Sequence, residues 1–143
     1  MEKDFEEAAM RADTQSVSIQ SRAHDVFAFV ADPGNLPRWA IGFAKEVKAD
    51  GDGWLVTTGD GGQVSLRTVT DDQLGVVDFH MVMPGGVESV ARSRVVARGE
   101  GSEYVFTQVQ GPEIPDELFD RLVETVDHEL TALKAQMEVD CPL

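Results

Sequence analysis

Four polar side chains alternate with apolar neighbours in a pattern that would present them to a buried ligand: Thr68, Ser93, Tyr104 and Gln108. Each stands in a stretch of period-two alternation, so each shares a face with residues such as Leu66, Val95 and Phe106. Hydroxyls and an amide on an otherwise apolar wall can donate to a ligand oxygen, or to an oxyanion that develops during a reaction. A base is what this set lacks. Glu88 stands at a strand start, and His80 would face the same side only if its strand register were reversed.

Other chemistries fare worse. His24 falls early in a surface helix, His80 on an outer sheet face near Arg92 or Arg94, and His128 on the polar side of a long helix. Metal binding needs convergent ligands, and no HxxxH, HxH or CxxC spacing is present, so no metal and no cofactor are expected. The glycine-rich runs GDGWLVTTGDGG and PGGVE do not open a helix and carry no GK[ST], which argues against a phosphate cradle. Asp50 and Asp52 lack the further acidic positions of a calcium loop and read as a hairpin turn. The single cysteine, Cys141, excludes an intramolecular disulfide and suits a reducing compartment.

The same alternation names the apolar part of the wall. Val77, Phe79, Met81 and Met83 share one face, as do Ala91, Ser93, Val95 and Ala97, with Arg92, Arg94 and Arg98 opposite. Trp54, Val56 and Thr58 match Val64, Leu66 and Thr68 on the preceding strands, and Tyr104, Phe106 and Gln108 form the bulky face of the last. The expected ligand-binding set is therefore Trp39, Trp54, Val56, Leu66, Thr68, Phe79, Met81, Ser93, Tyr104, Phe106, Gln108, Phe119, Leu122 and Val126, with no catalytic residue assigned. Trp39 suits either a stacking platform at a pocket mouth or a packing anchor. Alternation fits an open cavity and a core closed by side chains equally well, because composition does not report volume.

Elements must position these residues. Val17 and Ile19 alternate with Ser and Gln in a first strand that starts near Thr14. Ser21 is expected to cap a helix carrying Val26, Phe27, Phe29 and Val30, and Asn35 a short second helix ending at Trp39. Turn signals rich in Gly and Asp then separate about six strands, at residues 44–49, 54–58, 63–70, 74–82, 88–98 and 103–110. After Gly111 and Pro112, residues 118, 119, 122, 123, 126, 130, 133 and 137 form an apolar stripe on a helix of roughly 35 Å. A curved antiparallel sheet wrapped around that helix buries both apolar faces, which predicts an α+β fold. Residues 1–13 are expected to be a leader, and residues 14–140 one domain.

Size and charge set the partners. A chain of 143 residues can bury roughly two thirds of its unfolded surface, enough for one core. Twelve Lys and Arg against 26 Asp and Glu give a formal net charge of −14, which repels phosphate backbones, so nucleic acid is not expected as a partner. The N-terminus lacks the apolar run of a secretory signal, and no stretch of about 18 apolar residues would insert in a membrane, so a cytoplasmic monomer or homodimer is expected.

The run SVSIQSRAHDVFAFVADPGNLPRWAIGF, with Val26, Phe27, Asp32, Pro33, Asn35, Leu36 and Trp39, resembles the opening of polyketide cyclase/dehydrase-like proteins of the Bet v 1-like (START, SRPBCC) superfamily. That resemblance implies a helix-grip fold: a curved seven-stranded antiparallel sheet around a long C-terminal helix, with two short helices after the first strand. It also implies a small hydrophobic ligand, aromatic, polyketide or lipid-like, held between sheet and helix. An aromatase/cyclase acting on a poly-β-ketone and a protein-interaction module are the alternatives. The motif identifies a fold better than a reaction.

Overall fold

The computed structural model describes residues 10–143. Its elements follow the expected order: strand β1 (Ala12–Ile19), helix α1 (Ala23–Val30), a 3-10 turn (Pro33–Asn35), helix α2 (Leu36–Trp39), then strands β2 (Glu46–Asp50), β3 (Gly53–Thr57), β4 (Gln63–Asp71), β5 (Val76–Val82), β6 (Glu88–Arg98) and β7 (Gly101–Val109), and the long helix α3 (Asp116–Asp140). All seven strands form one antiparallel sheet in the order β1-β7-β6-β5-β4-β3-β2. Short turns force the neighbours β2 to β7 to pair in sequence. Only β1 must reach across the chain to close on β7, with Val17 opposite Tyr104 and Ile19 opposite Ser102.

Period two decides which side of the sheet is buried. Val64 and Leu66 on β4, Val77 and Phe79 on β5, Ala91, Ser93 and Val95 on β6, and Tyr104 on β7 are buried, while Arg67, Arg92 and Arg94 are exposed. Helix α3 closes this face with Val126, Leu130, Leu133 and Met137. Full burial of a side chain such as Leu133 stabilises by roughly 2 kcal/mol, so this stripe is a principal tie between helix and sheet.

Polar contacts then fix the register of α3. The Gln15 amide donates to the carbonyl of Val123 at 2.9 Å, the Gln20 amide N–H donates to Glu138 at 2.8 Å, and Lys134 Nζ donates to the Ser18 carbonyl at 3.0 Å. At the start of the helix Arg11 meets Asp120 at 2.7 Å and lies over the Phe119 ring. Most of these contacts are exposed, so they specify position more than stability.

Three local expectations are corrected. Ser21 does not cap α1: it is fully buried, and its hydroxyl donates to the Met137 carbonyl at 3.1 Å, satisfying a group at the end of α3. Asn35 makes no cap bond either, because its amide donates back to the Phe29 carbonyl at 3.0 Å, and Asp32 instead accepts from Gly34 N at 2.9 Å. The first strand begins at Ala12 rather than Thr14, since Ala12 and Asp13 pair with Val109 and Gln108. The expected leader therefore overlaps the sheet at its last residues, and its residues 1–9 lie outside the described residues. Among the described residues no helix is long and apolar enough to cross a membrane.

Candidate functional site

Between α3 and the sheet lies an open cavity of about 550 Å³. Five segments bound it: α2 and the loop after it (Trp39, Ala40, Gly42, Phe43), the end of β5 (Phe79, Met81), the start of β6 (Glu88 to Ala91), the end of β7 with residues 111–114 (Phe106, Gln108, Ile114), and α3 (Phe119, Leu122, Thr125, Val126, Glu129). The long helix α3 packs on β1 and α2, and Leu122 on its apolar stripe stays 37% exposed beside the cavity.

Eight of the residues expected on the wall line this cavity: Trp39, Phe79, Met81, Phe106, Gln108, Phe119, Leu122 and Val126. The other six lie elsewhere. Trp54 and Leu66 border a smaller recess of about 300 Å³ together with Asp50, Ser65, Arg67, His80 and Val90, which alternate onto the outer face of the sheet. Val56 is fully buried in the core, and Thr68 is half-buried opposite Phe79 in the β4–β5 register. The Ser93 hydroxyl is occupied, donating to the Val77 carbonyl at 2.6 Å. Tyr104 stands behind the wall, fully buried, with its ring edge-on to Trp39 at 5.9 Å. The physical reason is curvature: one strand face supplies core at one end of the sheet and cavity at the other.

His24 and His128 are exposed, as expected, while His80 pairs with Arg67 and Val90 on the outer face, with Arg92 diagonal to it on the neighbouring strand. Among the described residues no three His, Cys, Asp or Glu side chains are grouped to hold a metal ion.

One residue missing from the expected set changes the chemistry of the site. Glu129 on α3 is 7% exposed and lines the cavity. Its Oε2 accepts from the Gly42 backbone N–H at 3.0 Å, and the nearby Phe43 N–H, which donates to the Ala40 carbonyl at 3.0 Å, also favours the charged form. Burial pushes its carboxyl up to about 7, although these two N–H groups pull the other way. The sequence expectation that no base lies inside is thereby overturned. Leu122, Val126, Glu129 and Leu133 follow each other at helical spacings of four, three and four, so a carboxylate within the apolar stripe was the available signal.

Gly42 makes this contact feasible. A Cβ at position 42 would run into the Thr125 methyl group, so only glycine lets the loop come close enough for its N–H to reach Glu129.

Two buried donors of residues that line the cavity, Trp39 Nε1 and Gln108 Nε2, have no partner within the protein, and neither do Tyr104 Oη and Ser102 Oγ, whose residues lie outside its lining. Burial raises the Tyr104 pKa, with Ser93 easing ionisation and the Glu129 charge opposing it, so the phenol stays a neutral donor. The site thus combines an apolar wall, one carboxyl group poised to exchange a proton near neutral pH, and N–H donors without acceptors. Groups of this kind can bind, orient and protonate or deprotonate an oxygenated molecule.

A curved seven-stranded sheet gripping a C-terminal helix over a cavity defines a helix-grip domain of the Bet v 1-like kind. Residues 10–138 match the family described as polyketide cyclase/dehydrase and lipid transport, and the chain belongs to that family. No curated protein matches the sequence. Among solved structures, the protein XoxI from Bacillus cereus is 18% identical with a TM-score of 0.74, over 92% of this chain and 97% of that one. The di-domain ARO/CYC BexL from the BE-7585A biosynthetic pathway is 18% identical with a TM-score of 0.70, and the match spans 92% of this chain but 48% of BexL. A START superfamily protein from Mycobacterium smegmatis is 15% identical, with a TM-score of 0.65 over 90% of this chain and 97% of its own. At these identities the likeness is one of fold.

Proposed function

We propose that this protein binds a small, mainly apolar molecule in the cavity between the sheet and α3, with Trp39, Phe79, Met81, Phe106, Gln108, Phe119, Leu122 and Val126 as its contacts. The observation that carries the reading is the cavity itself: about 550 Å³, walled by aromatic and aliphatic side chains, within the size range of small-molecule sites. Five aromatic residues on the wall, Trp39, Phe43, Phe79, Phe106 and Phe119, supply rigid contact area at little entropic cost. The family description, which includes lipid transport, supports the same reading. A thermal-shift screen of hydrophobic compounds, followed by NMR of the wall residues, tests it. Binders should raise Tm in proportion to saturation and move resonances of Phe106, Phe119 and Leu122. A broad screen that left Tm and all wall resonances unchanged would remove the support for the reading.

Glu129 favours a second reading, an aromatase/cyclase-type enzyme acting on a poly-β-ketone. Its carboxylate would take a proton from a carbon between two carbonyl groups, and the enolate oxygen would accept from Trp39 or Gln108. The enolate carbon then bonds to a second carbonyl carbon, whose oxygen takes up the proton, and loss of water completes ring formation. BexL, named as an ARO/CYC protein, shares the fold that this reading requires. Incubation with a poly-β-ketone thioester mimic separates the two readings: cyclised product that disappears in Glu129→Gln supports the enzyme, and unchanged mimic supports the carrier.

A further inference from the structure

The ionisable groups that line the cavity all carry the same sign. Glu88 comes from the start of β6, Glu113 from the loop before α3 and Glu129 from α3 itself, while no Lys, Arg or His lines it among the described residues. Nothing on the wall can therefore neutralise a carboxylate or phosphate brought into it, and Glu129, the most deeply placed of the three, would oppose such a group at short range. The net charge of −14 adds a long-range penalty of the same sign.

The unpartnered polar atoms point to what the cavity does accept. Trp39 is 3% exposed and lines the cavity, yet its indole N–H finds no acceptor. Gln108 also lines it, and its buried amide nitrogen is equally unpartnered. Both groups only donate, so the missing partner is an acceptor oxygen. An ammonium group would meet the same donors head-on, although it would suit the glutamates. Leaving two buried donors unmade is costly, and an incoming oxygen relieves that cost.

We infer that the ligand is a neutral oxygenated hydrophobe, an apolar body bearing a carbonyl or ether oxygen that accepts from Trp39 and Gln108, and that anionic lipids and fatty acids are excluded. The inference rests on the binding function proposed above and specifies its ligand class. The groups facing Glu129 are the Gly42 and Phe43 N–H groups from the loop after α2 and the Tyr104 phenol from β7. None is a cation, so the only groups that temper its charge are the two N–H dipoles.

Four probes with one naphthalene body test this on the full chain at pH 8: 2-acetylnaphthalene, 2-naphthoate, 2-naphthylmethylammonium and 2-ethylnaphthalene, which has no oxygen. Isothermal titration gives affinities, and the Trp39 indole N–H resonance, assigned with the help of Trp54→Phe, reports the contact. The ketone should bind at least about tenfold more tightly than either ion and shift the Trp39 resonance downfield. Gln108→Leu should weaken the ketone severalfold and leave 2-ethylnaphthalene unchanged, and Glu129→Gln should narrow the gap between ketone and carboxylate. Binding of 2-naphthoate or the ammonium probe as tightly as the ketone would overturn the inference and leave the binding function standing. So would ketone binding that leaves the Trp39 indole unmoved. Binding by none of the four would overturn the binding function on which the inference rests.

Discussion

Replacing Glu129 by Gln should stabilise the protein at pH 8 and do little at pH 4. The carboxyl has a pKa of 4.5 when unfolded and about 7 when buried beside the cavity. Between those values the folded chain holds a proton that the unfolded chain has released, so the wild-type protein loses stability as pH rises from about 4.5 to about 7 and then levels off. At ~1.4 kcal/mol per pH unit the full displacement is worth at most about 3 kcal/mol. The open cavity lets water reach the charged form and reduces this, and we expect about 1.5 kcal/mol at pH 8. Glutamine keeps an oxygen for the Gly42 N–H, so the loop contact survives the substitution.

Thermal melts of both proteins at pH 4, 5, 6, 7 and 8 measure the effect. For a chain of this length the expected rise in Tm at pH 8 is roughly 3–6 °C, shrinking to near zero at pH 4. The difference between the two proteins isolates Glu129, because other carboxyls act alike in both. Asp60, Glu103 and Glu138 have lowered pKa values and contribute stability that is lost as pH falls, the opposite direction. A Tm difference that does not change with pH, or a variant less stable than wild type at pH 8, would refute the assignment of a buried, proton-holding carboxyl.

Gly75→Ala should destabilise by about 2 kcal/mol or more, read by chemical denaturation, since Gly75 has φ +73° and a Cβ would run into the Val95 carbonyl that faces it. Val126→Asp and Leu122→Asp should part company although both lie on the apolar stripe of α3. The first places a charge at a site 6% exposed and should cost several kcal/mol, whereas the second sits at 37% exposure beside the cavity and should cost about 1 kcal/mol or less in a urea melt. Tyr104→Phe removes a buried hydroxyl that has no partner, so stability should stay within about 1 kcal/mol of wild type or rise, and a loss above about 2 kcal/mol would show that the hydroxyl is satisfied after all.

The fold was legible because its two periodicities are strong. Residues 91–95 of β6 alternate between buried and exposed, twenty-five residues of α3 carry one stripe, and the turns between strands are short enough to leave one pairing order. What period two reports, though, is a face and not a depth. Val56, Phe79 and Trp54 share the inner face, yet one is core, one lines the cavity and one lies at the recess, since sheet curvature and the path of α3 decide the depth.

The hydrogen-bonding partner of a side chain is just as non-local. Ser21 reads as a cap in sequence and serves a carbonyl 116 residues away. Glu129 was hidden for a related reason. Spacing along α3 puts Glu129 on the apolar stripe, but a single carboxylate on a helix reads as solvated by default, and its partner, the loop N–H of Gly42, is one that spacing along α3 cannot show. A buried carboxyl and two unpartnered donors, Trp39 Nε1 and Gln108 Nε2, meet on the lining of one cavity, where the expectation that buried polar groups are paired is broken by the two donors. That concentration of unmet polarity is the strongest reason to look for function at the inner wall of the cavity rather than at its size alone.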